Sequence, residues 1–191
     1  FVKTLPENLV YAPIYKKDTP MKSGRKATGK NPLEESWERD FDNHDLELAI
    51  DKNPDLQAVG LYTGIRGKGI VILDIDKDHS VLKRKWSETL IGAPKITSTK
   101  KDAAKYVFTV PEALWGDVKG HGLRKEEGGN YEILWGRRQG VIYGAYPGGH
   151  SSEEGFYKLT GDLSNIPVAP AWLLAEMKAP PKQVQNKKDL D

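Results

Sequence analysis

Three acids carry the chemistry open to this chain. Ile70-Val71-Ile72-Leu73 is a branched apolar run that ends in Asp74-Ile75-Asp76. Four apolar residues in succession, with no polar partner, predict a strand buried on both faces. Side chains alternate along a strand, so Asp74 and Asp76 face the same way, roughly 7 Å apart at the backbone. Ile75 points into packing. Two carboxylates so placed repel each other and lose solvation. A divalent cation relieves both costs, and oxygen ligands suit Mg²⁺ or Mn²⁺, which also bind phosphates. The same residues also read as a strand end entering an acidic, solvated turn through Lys77 and Asp78. The third acid, Glu132, lies inside Tyr131-Glu132-Ile133-Leu134. There a carboxylate is costly unless it is paired, on a metal or facing outward. Asp74, Asp76 and Glu132 together would suit attack of a hydroxyl on a phosphate, with one or two metal ions. The four histidines (44, 79, 121 and 150) form no spaced triad, and nothing supports acyl transfer.

Elements must place these acids. Asp45 to Lys52 predicts a short helix ended by Asn53-Pro54. Ala58 to Tyr62 predicts a strand. Thr63 to Gly69, with three glycines, predicts a turn leading into the central strand as a hairpin-like pair with Arg66 at its tip. Ser80 to Leu90 predicts a helix whose Leu82, Trp86 and Leu90 form one apolar stripe for the core. Ile96 and Tyr106 to Val110 predict strands joined by the polar Ser98-Thr99-Lys100-Lys101-Asp102. Pro111 to Trp115 is one helical turn at most. Asp117 to Asn130 reads as a charged loop, and Asn130 to Trp135 as a strand. Val141 to Tyr143 reads as its hairpin partner across the basic turn Gly136 to Gly140. Tyr146 to His150 reads as a loop, Phe156 to Leu159 as a last strand, and Ala171 to Lys178 as a closing helix. The tail 179–191 reads as a linker, towards a further domain. Strands crowd the second half, which predicts an α+β domain over 1–178 with a mostly antiparallel or mixed sheet.

The totals narrow the classes. With 38% apolar and 29% charged residues, the composition is that of a globular protein. No apolar run approaches the ~18 residues of a membrane span, and no membrane partner is expected. Absence of cysteine excludes disulfides, cysteine-zinc sites and thiol catalysis, and fits an intracellular setting. The net charge of +2 identifies no nucleic-acid binder by itself. Its distribution is uneven: Lys16, Lys17, Lys22, Arg25, Lys26 and Lys30 fall within fifteen positions, with Gly24 and Gly29 among them. Such a loop suits phosphates, or is simply solvated. No Walker pattern occurs.

Gly60-Leu61-Tyr62-Thr63-Gly64 followed by Gly69-Ile70-Val71-Ile72-Leu73-Asp74-Ile75-Asp76 resembles the start of the bifunctional DNA primase/polymerase (prim-pol) domain of the archaeo-eukaryotic primase superfamily. Thr97-Ser98 and Lys105-Tyr106-Val107-Phe108 resemble its second motif, and Tyr131-Glu132-Ile133-Leu134 its third. Gln139 to Pro147, Gly155-Phe156-Tyr157 and Pro170 to Leu174 resemble its closing stretch and terminal helix, so the likeness runs from about residue 10 to 178. The resemblance implies a small N-terminal αβ part packed on an RRM-like mixed sheet that carries the acids. It implies a DNA primase/polymerase: attack of a 3′-hydroxyl on the α-phosphate of a dNTP or NTP, templated by single-stranded DNA. Asp74, Asp76 and Glu132 would be catalytic and hold Mg²⁺ or Mn²⁺. Ser98, Lys105 and Arg137 or Arg138 would bind nucleotide, and the basic stretches 16–30 and 119–125 would track template; Arg66, read from its turn alone, is either an exposed turn residue or a further nucleotide-phosphate contact. Trp135 and Tyr146 are candidates to stack bases, and a helicase domain is an expected partner. Two departures stand out. The family's second motif commonly carries a histidine on the phosphates, whereas this chain has none between 79 and 121, and Lys105 takes the strand start. The family's third motif often has arginine two residues after the acid, where Leu134 stands here. A divergent branch from a phage or mobile element would explain both. The alternatives are a metal-dependent nuclease and a catalytically weak DNA-binding module of a replication helicase.

Overall fold

The computed structural model describes residues 1–37, 39–77, 79–126, 129–146 and 155–178. The loop expected over 147–150 and the tail from 179 lie outside the described residues, as does the side chain of Tyr146. In chain order the elements are β1 (Tyr11–Tyr15), β2 (Lys17–Pro20), β3 (Lys26–Thr28), α1 (Asn43–Lys52), β4 (Leu56–Tyr62), β5 (Ile70–Lys77), α2 (His79–Leu90), β6 (Lys95–Thr97), β7 (Ala104–Thr109), β8 (His121–Glu126), β9 (Gly129–Leu134), β10 (Gln139–Tyr146), β11 (Gly155–Thr160) and α3 (Ala171–Lys178). Short 3-10 turns sit at Glu34–Trp37 and Glu112–Leu114. The class is α+β.

Among the described residues, nine strands form one curled sheet in the order β1-β4-β10-β11-β6-β7-β5-β9-β8, and β2 and β3 form a separate hairpin. Every pairing between named strands is antiparallel, so the mixed sheet of the resemblance is replaced by an antiparallel one. The curl follows from β5. Its apolar residues need cover on both faces, and each face has its own core. Ile70 and Ile72 pack inside the curl with Leu61 of β4, Ile96 of β6, Val107 of β7 and Val141 of β10. Val71, Leu73 and Ile75 pack outside it, with Leu82, Trp86 and Leu90 of α2 and Leu173 and Met177 of α3. The helical stripe is therefore core, and Trp172 stacks on Trp86 at 4.3 Å between ring centroids.

Four connections differ from the sequence reading. β4 and β5 are not a hairpin: β5 pairs with β7 and β9, and β4 with β1 and β10. The turn between them brings β4 across the face of β5 rather than beside its edge, because Ile70 and Ile72 need an apolar layer over them. β9 and β10 likewise do not pair; β10 runs back along β4. Just ahead of the N-terminal basic loop, which holds β2 and β3, lies a wholly buried strand, β1, whose Pro13 is tolerated because β1 is an edge strand of the sheet. The charged loop after Asp117 contains β8, which pairs with β9.

Candidate active site

The register of β5 with its neighbours builds the site. Asp74 stands opposite Glu132 on β9 and opposite Lys105 on β7. Directly opposed residues share a face of the sheet, so Lys105, Asp74 and Glu132 form one row across three strands. Asp76 follows two residues on, on the same face. That face is the inner one, continuous with Ile70 and Ile72. The row thus looks into the curl, where the apolar core gives way to a polar cavity of about 60 Å³, room for a few waters or an ion. Lys30, Asp74, Asp76, Ser98, Lys105 and Tyr157 are among its walls, with Lys100 at its side.

Each acid meets its own cation. Lys105 donates from Nζ to Asp74 Oδ2, in a pair with side chains only 13% and 16% exposed. Lys100 Nζ donates to Asp76 Oδ1 at 3.0 Å. Arg138 Nη1 lies 3.6 Å from Glu132 Oε2. Among the described residues no three acids or histidines close around a single point. The three carboxylates share a face, but each is turned towards a base. Burial, then the charges of Asp74 and Asp76, raises the pKa of Glu132, and Arg138 and Lys105 work against this. Loss of solvation, then the neighbouring Lys105, lowers the pKa of Lys30, although the residue as a whole is exposed.

Local bonds hold these parts in place. Asp102, at positive φ, accepts from the backbone N–H of His79 through its carbonyl (2.9 Å) and from that of Ser80 through Oδ1 (2.8 Å). This ties the β6–β7 turn, which carries Lys100, to the helix that follows Asp76. Tyr106, beside Lys105 but on the opposite face, shares a 2.8 Å hydrogen bond with His79 Nε2. Gln139 donates from Nε2 to the Lys30 carbonyl at 2.8 Å, fixing the loop that brings Lys30 to the cavity.

The residues expected from sequence separate into two groups. Asp74, Asp76, Glu132, Ser98, Lys105 and Arg138 come together. Arg137 is exposed on the turn after β9. Arg66 stands elsewhere: its Nε donates to Asp40 Oδ1 at 2.9 Å and its guanidinium lies over the Tyr62 ring at 4.0 Å. It sits beyond Ile70, at the other end of β5 from the acids, because the turn that carries it crosses over to β4. Trp135 is buried in the outer core and offers no stacking face. Arg124, from the second basic stretch, turns inward to Glu176 at 2.9 Å. Lys30, Lys100 and Tyr157 belong to the cavity and were not singled out in the sequence as site residues. Only the charge density of 16–30 hinted at the first. No protein-family model matches the chain, and no curated protein matches it. Among the described residues no helix is long and apolar enough to cross a membrane.

The donor set tests the metal expectation. Carboxylate oxygens on one face suit a hard divalent cation. Two aspartates are held by lysine ammonium groups. The donor type fits Mg²⁺ or Mn²⁺, while in this arrangement the lysines supply the counter-charge.

Proposed function

We propose that this chain is the catalytic domain of a primase-polymerase of the archaeo-eukaryotic primase type, which joins nucleotides from nucleoside triphosphates on a single-stranded DNA template. The observation that carries the reading is the row Lys105–Asp74–Glu132 with Asp76 beside it, three acids and a base on one inner face. The helix-backed strands β5, β7 and β9 support an RRM-like part, and β1, β4 and α1 support the small N-terminal part. Asp74, Asp76 and Glu132 would hold Mg²⁺ or Mn²⁺, which would supply charge neutralisation at the reacting phosphate. Lys105, Lys100 and Lys30 would grip the triphosphate as point charges, and Ser98 would add a hydroxyl at the cavity wall. Arg138 would hold Glu132 in place. The α-phosphate would then meet the 3′-hydroxyl, and pyrophosphate would leave. The basic hairpin β2–β3 and Lys30 would lead the template backbone to the cavity, and a helicase domain is the natural companion.

One observation favours a second reading. Each acid is already neutralised by a base, as befits a DNA-binding module of a replication helicase without strong catalysis. Incubation with a single-stranded template, Mn²⁺ or Mg²⁺ and labelled dNTPs or NTPs, with and without a primer, separates the readings. Templated extension is expected. Template binding without extension supports the module, and shortening of the DNA supports a nuclease.

A further inference from the structure

The pairing of acids with bases bears on what the cavity accepts. Lysine has three donors and no acceptor, so an ammonium displaced from a carboxylate must find another anion or water. Lys105 and Asp74 are largely shielded from water, so for Lys105 water is a poor exchange. Lys30 stands on the same cavity wall, and so does Lys100, so a displaced Lys105 would meet other cations. The acids Asp74, Asp76 and Glu132 face the cations Lys105, Lys100, Arg138 and Lys30. The cluster therefore carries a charge of about +1, and a bare divalent ion would raise it to about +3, a costly density at these separations. A divalent ion already bound to a triphosphate carries about −2 and would leave the cluster near −1, with phosphate oxygens for the released lysines.

We infer that Lys105 and Lys100 are stand-in counter-ions, so that the cavity takes a divalent cation together with a polyphosphate and not alone. The inference rests on the reading of Asp74, Asp76 and Glu132 as metal ligands. It adds that the lysines exchange partners: carboxylate before binding, phosphate after. Lys105, in the shielded pair, governs the exchange. Lys100, whose pair is 45% and 42% exposed, contributes less because water takes over its ammonium more readily.

The test is binding, not turnover. The full chain is titrated with Mn²⁺ alone, followed by electron paramagnetic resonance of the free ion. It is then titrated with the preformed complex of Mn²⁺ and inorganic tripolyphosphate, followed by calorimetry. The wild-type chain should bind the complex at least tenfold more tightly than Mn²⁺ alone. Lys105→Met should bind Mn²⁺ alone at least tenfold more tightly than wild type, and the complex less tightly. Lys100→Met should show the same signs with smaller changes, and covers the case in which Lys105→Met does not fold. Lys158→Met, on exposed β11 surface, should change neither. If wild type and both lysine variants bind bare Mn²⁺ with equal affinity, the stand-in role is overturned while the metal site remains. If Mn²⁺ binds in no form to any of them, the metal site falls as well.

Discussion

Glu132 carries an unwelcome charge. Burial and the two aspartates lift its pKa above the ordinary 4.5. A carboxyl whose pKa is higher folded than unfolded holds its proton more tightly in the fold. Its contribution to stability is therefore greatest at low pH and is lost as pH rises from about 4.5 through the raised value. Glu132→Gln removes that loss. Thermal unfolding at pH 7 should give a Tm at or above wild type, with a flatter decline from pH 4.5 upward, while nucleotide incorporation falls by orders of magnitude. A lower Tm at pH 7 would mean that the Arg138 contact outweighs the repulsion. A loss of function with gained stability is the pattern of a site kept against its own repulsion. At this scale the acids were legible because Asp-x-Asp after an apolar run has one orientation whatever the strand's partners. Lys30 and Tyr157 were not, since only the folded sheet brings positions more than 40 residues from Asp74 to one cavity.

Among the elements, two turns decide where Arg138 stands. Thr63 donates its N–H (3.0 Å) and its hydroxyl (3.1 Å) to the Arg138 carbonyl. Gly64 has φ +74°, and a Cβ there would lie 2.6 Å from Gly136 N and 2.7 Å from Gly136 Cα. Both contacts are backbone and cannot yield. Gly64→Ala should cost about 2 kcal/mol or more in urea unfolding, and should weaken incorporation by moving Arg138 from Glu132. A cost near zero would show that the turns are not locked together. The helices α1, α2 and α3 and the strands β4, β5, β7, β9 and β11 were legible from period and punctuation. Strand partners were not. Glycine-rich turns after β4 and β9 resemble hairpin turns, but the need to cover Ile70 and Ile72 sent both chains across the sheet instead. β1 was hidden because Pro13 and the flanking lysines mask a strand buried at all five positions.

Across the whole molecule, charge is concentrated where the sheet opens. The β2–β3 hairpin exposes Lys17 and Lys26 with Lys16, Lys22 and Arg25 around them, and leads to Lys30 at the cavity. The backbone N–H groups of Lys22 and Ser23 donate to Glu34, which holds the hairpin tip. If this arm tracks single-stranded DNA, replacing Lys17, Arg25 and Lys26 by Gln should lower the log–log salt slope of binding by about 2, since each phosphate contact contributes roughly 0.7. An unchanged slope would place the template elsewhere. The central claim concerns the acids, and Asp76 tests it most directly. Its ion pair is half exposed, so Asp76→Asn removes a carboxylate with little effect on the fold. The measurement is incorporation of labelled nucleotide on a primed single-stranded template with Mn²⁺, wild type beside Asp76→Asn, with circular dichroism confirming both folds. The account predicts incorporation by wild type and a loss of at least a thousandfold in the variant; near-equal incorporation by the two would contradict it.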